Sequence, residues 1–147
     1  MHAILAIIKT CLKDKLFLAA GRAGRMEFWV FTLFAILIRI ILFPLNMISH
    51  GAMLLGMVYA IINFVIFVAH YTALIRRLHD TNRSAVHVAP VFIGLLLIVG
   101  AVFSSIPMLV MAGEVLSVGG LIYVLVLAVL PGNKGSNNYG PEAPTYR

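Results

Sequence analysis

Arg76-Arg77-Leu78-His79-Asp80-Thr81-Asn82-Arg83-Ser84 packs three arginines and an aspartate into nine residues, and long apolar runs flank it at 52–75 and 88–107. A segment so charged does not enter hydrocarbon, whereas each flank is long enough as a helix to cross roughly 30 Å of it. The stretch therefore reads as a surface loop between two membrane-spanning helices. Composition agrees: of 147 residues, 62% are hydrophobic and only 11% charged, too apolar a balance for a water-soluble core.

Working outward, a further span is expected at 28–45, closed by the turn-forming Asn46, Ser49, His50 and Gly51. Pro44 falls near its end, where a proline is tolerated. The span at 88–107 carries Pro90 in its first turn, where the missing amide hydrogen costs little. A last span at 114–130 stops at Pro131-Gly132, and 131–147 is a polar tail without apolar periodicity, expected to be irregular but able to order against the bundle. In the first twenty residues, Ile4, Ile7, Ile8, Leu12 and Leu16 recur at helical spacing with Lys9, Lys13 and Asp14 between them, the pattern of a helix lying in the membrane interface. A short apolar run followed by lysines is the wrong order for a cleaved signal peptide. The expected fold is a single-domain, all-α membrane protein over 1–147, with four transmembrane helices preceded by a short interfacial amphipathic helix.

Charge sets the orientation. Lys9, Lys13, Lys15, Arg22, Arg25, Arg76, Arg77, Arg83, Lys134 and Arg147 fall on the side of the termini, Arg39 lies inside the first span, and neither opposite loop holds Lys or Arg. The positive-inside rule then predicts both termini in the cytoplasm. The net charge of +6 is explained by this bracketing of spans rather than by one basic face, so no nucleic-acid partner is expected. Cys11, the only cysteine, excludes an intrachain disulfide and a multi-cysteine zinc site and reads as an apolar filler.

Three polar features invite chemistry. The segment Gly21-Arg22-Ala23-Gly24-Arg25-Met26-Glu27-Phe28-Trp29 places arginines and a tryptophan at headgroup level, suited either to a topology anchor or to recognition of lipid or partner. Glu27, at the mouth of a span, calls for a partner, and Arg76 or Arg77 lies at the same level. In the second feature, Arg76 and Asp80 are four apart and would face one another on a continuous helix. His79 beside Asp80 suggests an acid–base pair or a metal ligand, but His70 and His87 make no ligand spacing with it, so a hydrogen-bond network is favoured and no metal is expected. The third is Arg39, about 16 Å inside Phe28, with Asn63 at about 18 Å from Ile75. An arginine at that depth suggests function, with Asn63 or Glu114 as partner; the plainer reading has it snorkel outward and pair with Glu114 to steady the bundle.

Other signals fail. Gly132-Asn133-Lys134-Gly135 is too short for a phosphate loop, and His50 and His70 sit about 30 Å apart on one helix and share no haem iron. Asn82-Arg83-Ser84 matches a glycosylation acceptor but falls in a loop expected in the cytoplasm. No cofactor is expected.

With these pieces placed, the chain resembles the DUF805 family of small bacterial inner-membrane proteins. The resemblance rests on 21–29, on 76–84, and on Pro131-Gly132-Asn133-Lys134-Gly135-Ser136-Asn137-Asn138-Tyr139-Gly140-Pro141. The family pattern usually has Gly where this chain has Asn82, and aromatics where it has Val86-His87-Val88. The resemblance implies an inner-membrane location and a helical fold but no established activity. It also gathers all three blocks on one face. Arg22, Arg25 and Glu27 are expected against Arg76, Arg77, His79 and Asp80 with the tail folded over them, first as a structural clasp and second as a site for anionic headgroups or a partner. The leading functional expectation is a non-enzymatic protein acting through lipid or protein contacts at its cytoplasmic face, with membrane lipids, a homo-oligomer or a membrane protein as partners. The alternative is a small oligomeric transporter or channel subunit using Arg39 and Asn63. An enzyme ranks third, since His79 and Asp80 have no nucleophile beside them.

Overall fold

A computed structural model describes residues 2–49, 53–104 and 106–146. It contains α1 (His2–Lys9), a π-helical turn (Thr10–Asp14), α2 (Arg25–Ser49), α3 (Met53–Asp80), a 3-10 turn (Ala85–Val88), α4 (Ala89–Ser104) and α5 (Pro107–Val129). Four segments, Arg25–Leu45, Met53–Asp80, Ala85–Ser104 and Pro107–Val129, are long and apolar enough to cross a bilayer. The chain is a multi-pass integral membrane protein with the helical architecture its sequence led us to expect. The expected turn residues His50 and Gly51, the start of a span at Ala52, and Arg147 lie outside the described residues.

Several boundaries differ from the sequence reading. α2 runs on to Ser49, which puts Pro44 inside the helix rather than at its end. Hydrocarbon offers peptide groups no other partner, so a helix continues across a proline more readily there than in water. The fourth span begins at Pro107, not 114, because the proline at the first helical position starts the helix rather than ending the one before. Glu114 thereby moves from the outer edge of the span to its interior.

The helices form two antiparallel hairpins, α2 with α3 and α4 with α5. The second is held by close backbone approach. A Cβ on Gly94 would lie 2.6 Å from the Gly113 carbonyl oxygen, and a Cβ on Gly113 would lie 2.6 Å from that of Gly94. Small residues are how helices gain contact in lipid, where burying apolar surface against a neighbour brings no hydrophobic gain. The first hairpin uses aromatic packing: Phe28 stacks on His70 at 5.8 Å, and the Thr32 hydroxyl meets His70 Nε2 at 3.1 Å.

The hairpins join chiefly near the chain termini. Leu78 of α3, Val88, and Val124 and Leu127 of α5 form one core cluster. Ile7 and Cys11 pack with Phe31, Ala69 and Ala73 in another, so the N-terminal helix seats its apolar stripe on the bundle. That helix was expected over 1–20 but its π-helical end stops at Asp14, and the carbonyls beyond are taken by side chains of α3. Thr72 Oγ1 donates to Leu16 O at 3.2 Å, and Arg76 Nη1 donates to Leu18 O at 2.8 Å and Lys15 O at 3.3 Å. Backbone acceptors with buried partners need no helix to satisfy them. Farther along, the hairpins part around a cleft of about 220 Å³ lined by Phe67, His70, Tyr71, Leu95 and Leu121 among others.

Candidate functional site

The last turn of α3 carries Arg76, Arg77 and Asp80, and all three side chains are buried although each bears a charge. Such burial is tolerable only with near-complete pairing, because desolvating an ion costs several kcal/mol. The pairing comes from four distant parts of the chain.

Asp80 is shared by two arginines. Its Oδ1 accepts from Arg22 Nε at 2.9 Å, and its Oδ2 accepts from Arg77 Nη1. Arg77 also donates through Nε to Ala128 O at 2.9 Å, through Nη2 to Leu130 O, and through Nη1 to Ala23 O at 3.4 Å. The orphaned carbonyls and partial negative charge at the end of α5 are therefore capped by a guanidinium from α3. Arg22 spends its remaining donors on Asn133 O and Gly135 O of the tail, and the Asn133 amide donates to Asp80 O at 2.8 Å. Gly132 is obligatory here, since a Cβ on it would come within 2.0 Å of an Asp80 carboxylate oxygen.

A second pair lies deeper. Arg76 Nη2 and Glu27 Oε1 are 3.0 Å apart with both side chains wholly buried, and Tyr146, near the end of the tail, donates its hydroxyl to Glu27 Oε2 at 3.0 Å. His79 is only partly buried. Its ring stacks on Tyr139 at 3.9 Å, Nδ1 donates to Gly21 O at 3.2 Å, and its carbonyl accepts from Asn137 Nδ2 at 2.9 Å. The tail is thus ordered, clamped over the helix ends by Arg22, His79 and Glu27. Asn82, at the position where the family pattern has Gly, adopts φ +58°, the left-handed conformation that glycine and asparagine tolerate best.

Of the residues the sequence singled out, Arg22, Glu27, Arg76, Arg77, His79 and Asp80 come together, and Glu27 meets Arg76 as one of its two expected partners. Two expectations are corrected and one disfavoured alternative drops out. Asp80 pairs with Arg77 and Arg22 rather than with Arg76, because Arg76 points from α3 toward the Glu27 carboxylate of α2 while Arg77 points toward α5. His79 and Asp80 make no acid–base pair: one faces Tyr139 and the other the arginines. Arg39 pairs with neither Asn63 nor Glu114. Asn63 Nδ2 turns back to Tyr59 O at 3.0 Å, and Arg39 lines a shallow dent with Ile36, Ile40 and Phe43. Arg25 stands apart from the buried clasp, exposed at the start of α2.

The sequence reading missed Tyr146, Tyr139 and Thr72 as members of the network, and Cys11 as more than filler. No motif marks them; only their proximity in space does. Cys11 Sγ lies 3.7 Å from Arg76 Nη2, and burial, with a further push from Glu27, raises its thiol to about 11. The thiolate is the reactive form, so Cys11 should resist maleimide at pH 8 in the folded protein and label fully once denatured, as read by intact mass. Rapid labelling of the native protein would contradict this packing.

Tyr146 gives a pH signature. Burial first, and Glu27 next, raise its hydroxyl from 10.0 to about 12. A group held neutral by the fold stabilises it fully below the unfolded value and loses that contribution as pH climbs through the folded one. Tail anchoring is therefore expected to weaken between about pH 10 and 12, seen as faster proteolysis of the tail, and Tyr146→Phe should remove that pH step. A step that persists in the phenylalanine variant would assign the titration elsewhere.

The clasp ties both ends of the described chain, α2, α3 and α5 into one unit. Beside it, a dent of about 530 Å³ is lined by Arg25 and Lys134, by the carboxylates Asp80 and Glu142, and by Pro144 and Thr145 among others. No curated protein and no solved structure matches the chain. A family model described as "Protein of unknown function (DUF805)" matches residues 16–141, from the loop that feeds Arg76 to the tail that covers Asp80, and the chain belongs to that family.

Proposed function

We propose that this protein is a non-enzymatic component of the bacterial inner membrane, with both termini in the cytoplasm, that binds anionic lipid headgroups at the face carrying its termini. The observation behind the reading is a division of labour among its cations. Arg22, Arg76 and Arg77 are consumed by the buried clasp, whereas Arg25 and Lys134 are exposed and line one dent at the level where α2 starts. Basic side chains at the mouth of a span are where anionic headgroups concentrate, and a planar guanidinium suits a phosphate. The clasp holds the two cations in place: Arg25 begins a helix, and Lys134 lies between two tail residues whose carbonyls Arg22 binds.

Native mass spectrometry after reconstitution in phosphatidylcholine vesicles with and without phosphatidylglycerol tests it. Wild type should retain phosphatidylglycerol selectively, and Arg25→Glu with Lys134→Glu should abolish that selectivity while thermal stability stays unchanged. Equal retention of both lipids by wild type would refute headgroup recognition. For the orientation, a fluorescent-protein fusion to the C-terminus should glow and an alkaline phosphatase fusion there should be inactive.

A further inference from the structure

Arg39 and Glu114 are the two charged residues set within the apolar length of the spans, one on each hairpin. Among the described residues neither forms a hydrogen bond or ion pair. Glu114 is exposed on α5 between Met111, Val115 and Val118, all more than half exposed, so its carboxylate stands on a surface that otherwise suits acyl chains. Arg39 lies in a dent with Ile36, Ile40 and Phe43 on α2. A charge left facing hydrocarbon is costly and normally finds a partner.

The depths of the two residues match. Arg39 is fourteen residues past Arg25, the first of α2, and Glu114 is fifteen before Val129, the last of α5, so at 1.5 Å per residue they lie about 21 and about 22 Å from their helix ends. Those ends are neighbours, because the Arg77 guanidinium reaches both Ala23 O and Ala128 O. Equal depth matters for one kind of assembly. Copies inserted in the same orientation are related by a two-fold axis normal to the bilayer, and such an axis leaves every residue's depth unchanged.

We propose that two copies of this chain associate side by side in the membrane, with Arg39 of each copy paired to Glu114 of the other. The two-fold axis makes the contact twice, so one interface neutralises four intramembrane charges. Opposite charge and shared depth select a second copy over a lipid, whose phosphates lie at the surface and not at this level. The surface is distinct from the headgroup dent and does not depend on it.

Charge reversal with two affinity tags separates pairing between copies from a closing of the hairpins within one. Wild type reconstituted in liposomes should be dimeric by single-molecule photobleaching. Arg39→Glu alone and Glu114→Arg alone should each be monomeric, because each chain then carries two like charges at that depth. Co-expressed, the two variants should recover a heterodimer that both tags purify, since every contact between copies is again opposite in sign. Pairing within one chain forbids that rescue. Monomeric wild type, single reversals that remain dimeric, or folded variants that fail to join would each overturn the proposal. Should a reversal fail to fold, Glu114→Gln, expected to weaken dimerisation at least tenfold, serves in its place, and an unchanged dimer fraction there would overturn the proposal equally.

Discussion

Asp80→Ala is expected to cost about 3–5 kcal/mol, the usual loss when one partner is removed from a buried ion pair. The effect is large because Asp80 neutralises two arginines at once. Without it Arg22 and Arg77, 3% and 0% exposed, face each other across a cavity with only carbonyl oxygens to accept from them. Such a loss is a large share of a typical stability of about 5–15 kcal/mol, so much of the protein should be recovered misfolded. Asp80→Asn keeps the shape and one acceptor and should lose less. Thermal unfolding in detergent, followed by the monodisperse fraction on size exclusion, measures both. An alanine variant as stable as wild type would show that the arginines find solvent or lipid, and the clasp would then have no energetic role.

Glu27→Ala should rank close behind, again at about 3–5 kcal/mol, because it strands Arg76 wholly buried among backbone carbonyls. It differs from the first in where the damage spreads. Glu27 also receives the Tyr146 hydroxyl, so the end of the tail should come free while Asn133 stays bound to the Asp80 carbonyl. Hydrogen exchange separates the two cases: Asp80→Ala should speed exchange from Asn133 onward, and Glu27→Ala chiefly near Tyr146. Within a double-mutant cycle, Glu27→Ala and Arg76→Ala together should cost less than their sum, since neither leaves the other's charge stranded. Additive losses would mean the two side chains do not act as a pair.

These expectations also bound what the arginine-rich segments can do. Sequence alone puts Arg22, Arg25, Arg76 and Arg77 on an equal footing as candidates for a headgroup. Packing divides them, giving three to the interior and leaving Arg25 with Lys134 outside. A mutational survey of lipid binding should therefore read Arg76 or Arg77 variants as stability changes before it reads them as binding changes.

What the sequence determined was the membrane fold. Apolar runs of spanning length separated by charge leave no alternative in which backbone groups are satisfied, so span number follows from composition along the chain. The meeting of 21–29, 76–84 and 131–141 on one face also followed, since an even number of spans returns the chain to its starting side. Which charge meets which did not. Asp80 has arginines available at three and four residues' distance on its own helix, and the four-residue spacing pointed to Arg76; the choice fell to Arg77 because α5 ends beside it with bare carbonyls. Tyr146 reaches Glu27 across 119 positions of chain, a contact no periodicity encodes. Glu114 passed from the edge of a span to its interior because Pro107 starts a helix, a decision made by the local turn rather than by hydropathy. Hydrophobicity is additive along the chain and can be read residue by residue, whereas the partner of a buried charge depends on the directions of several helices at once, which only the folded structure fixes.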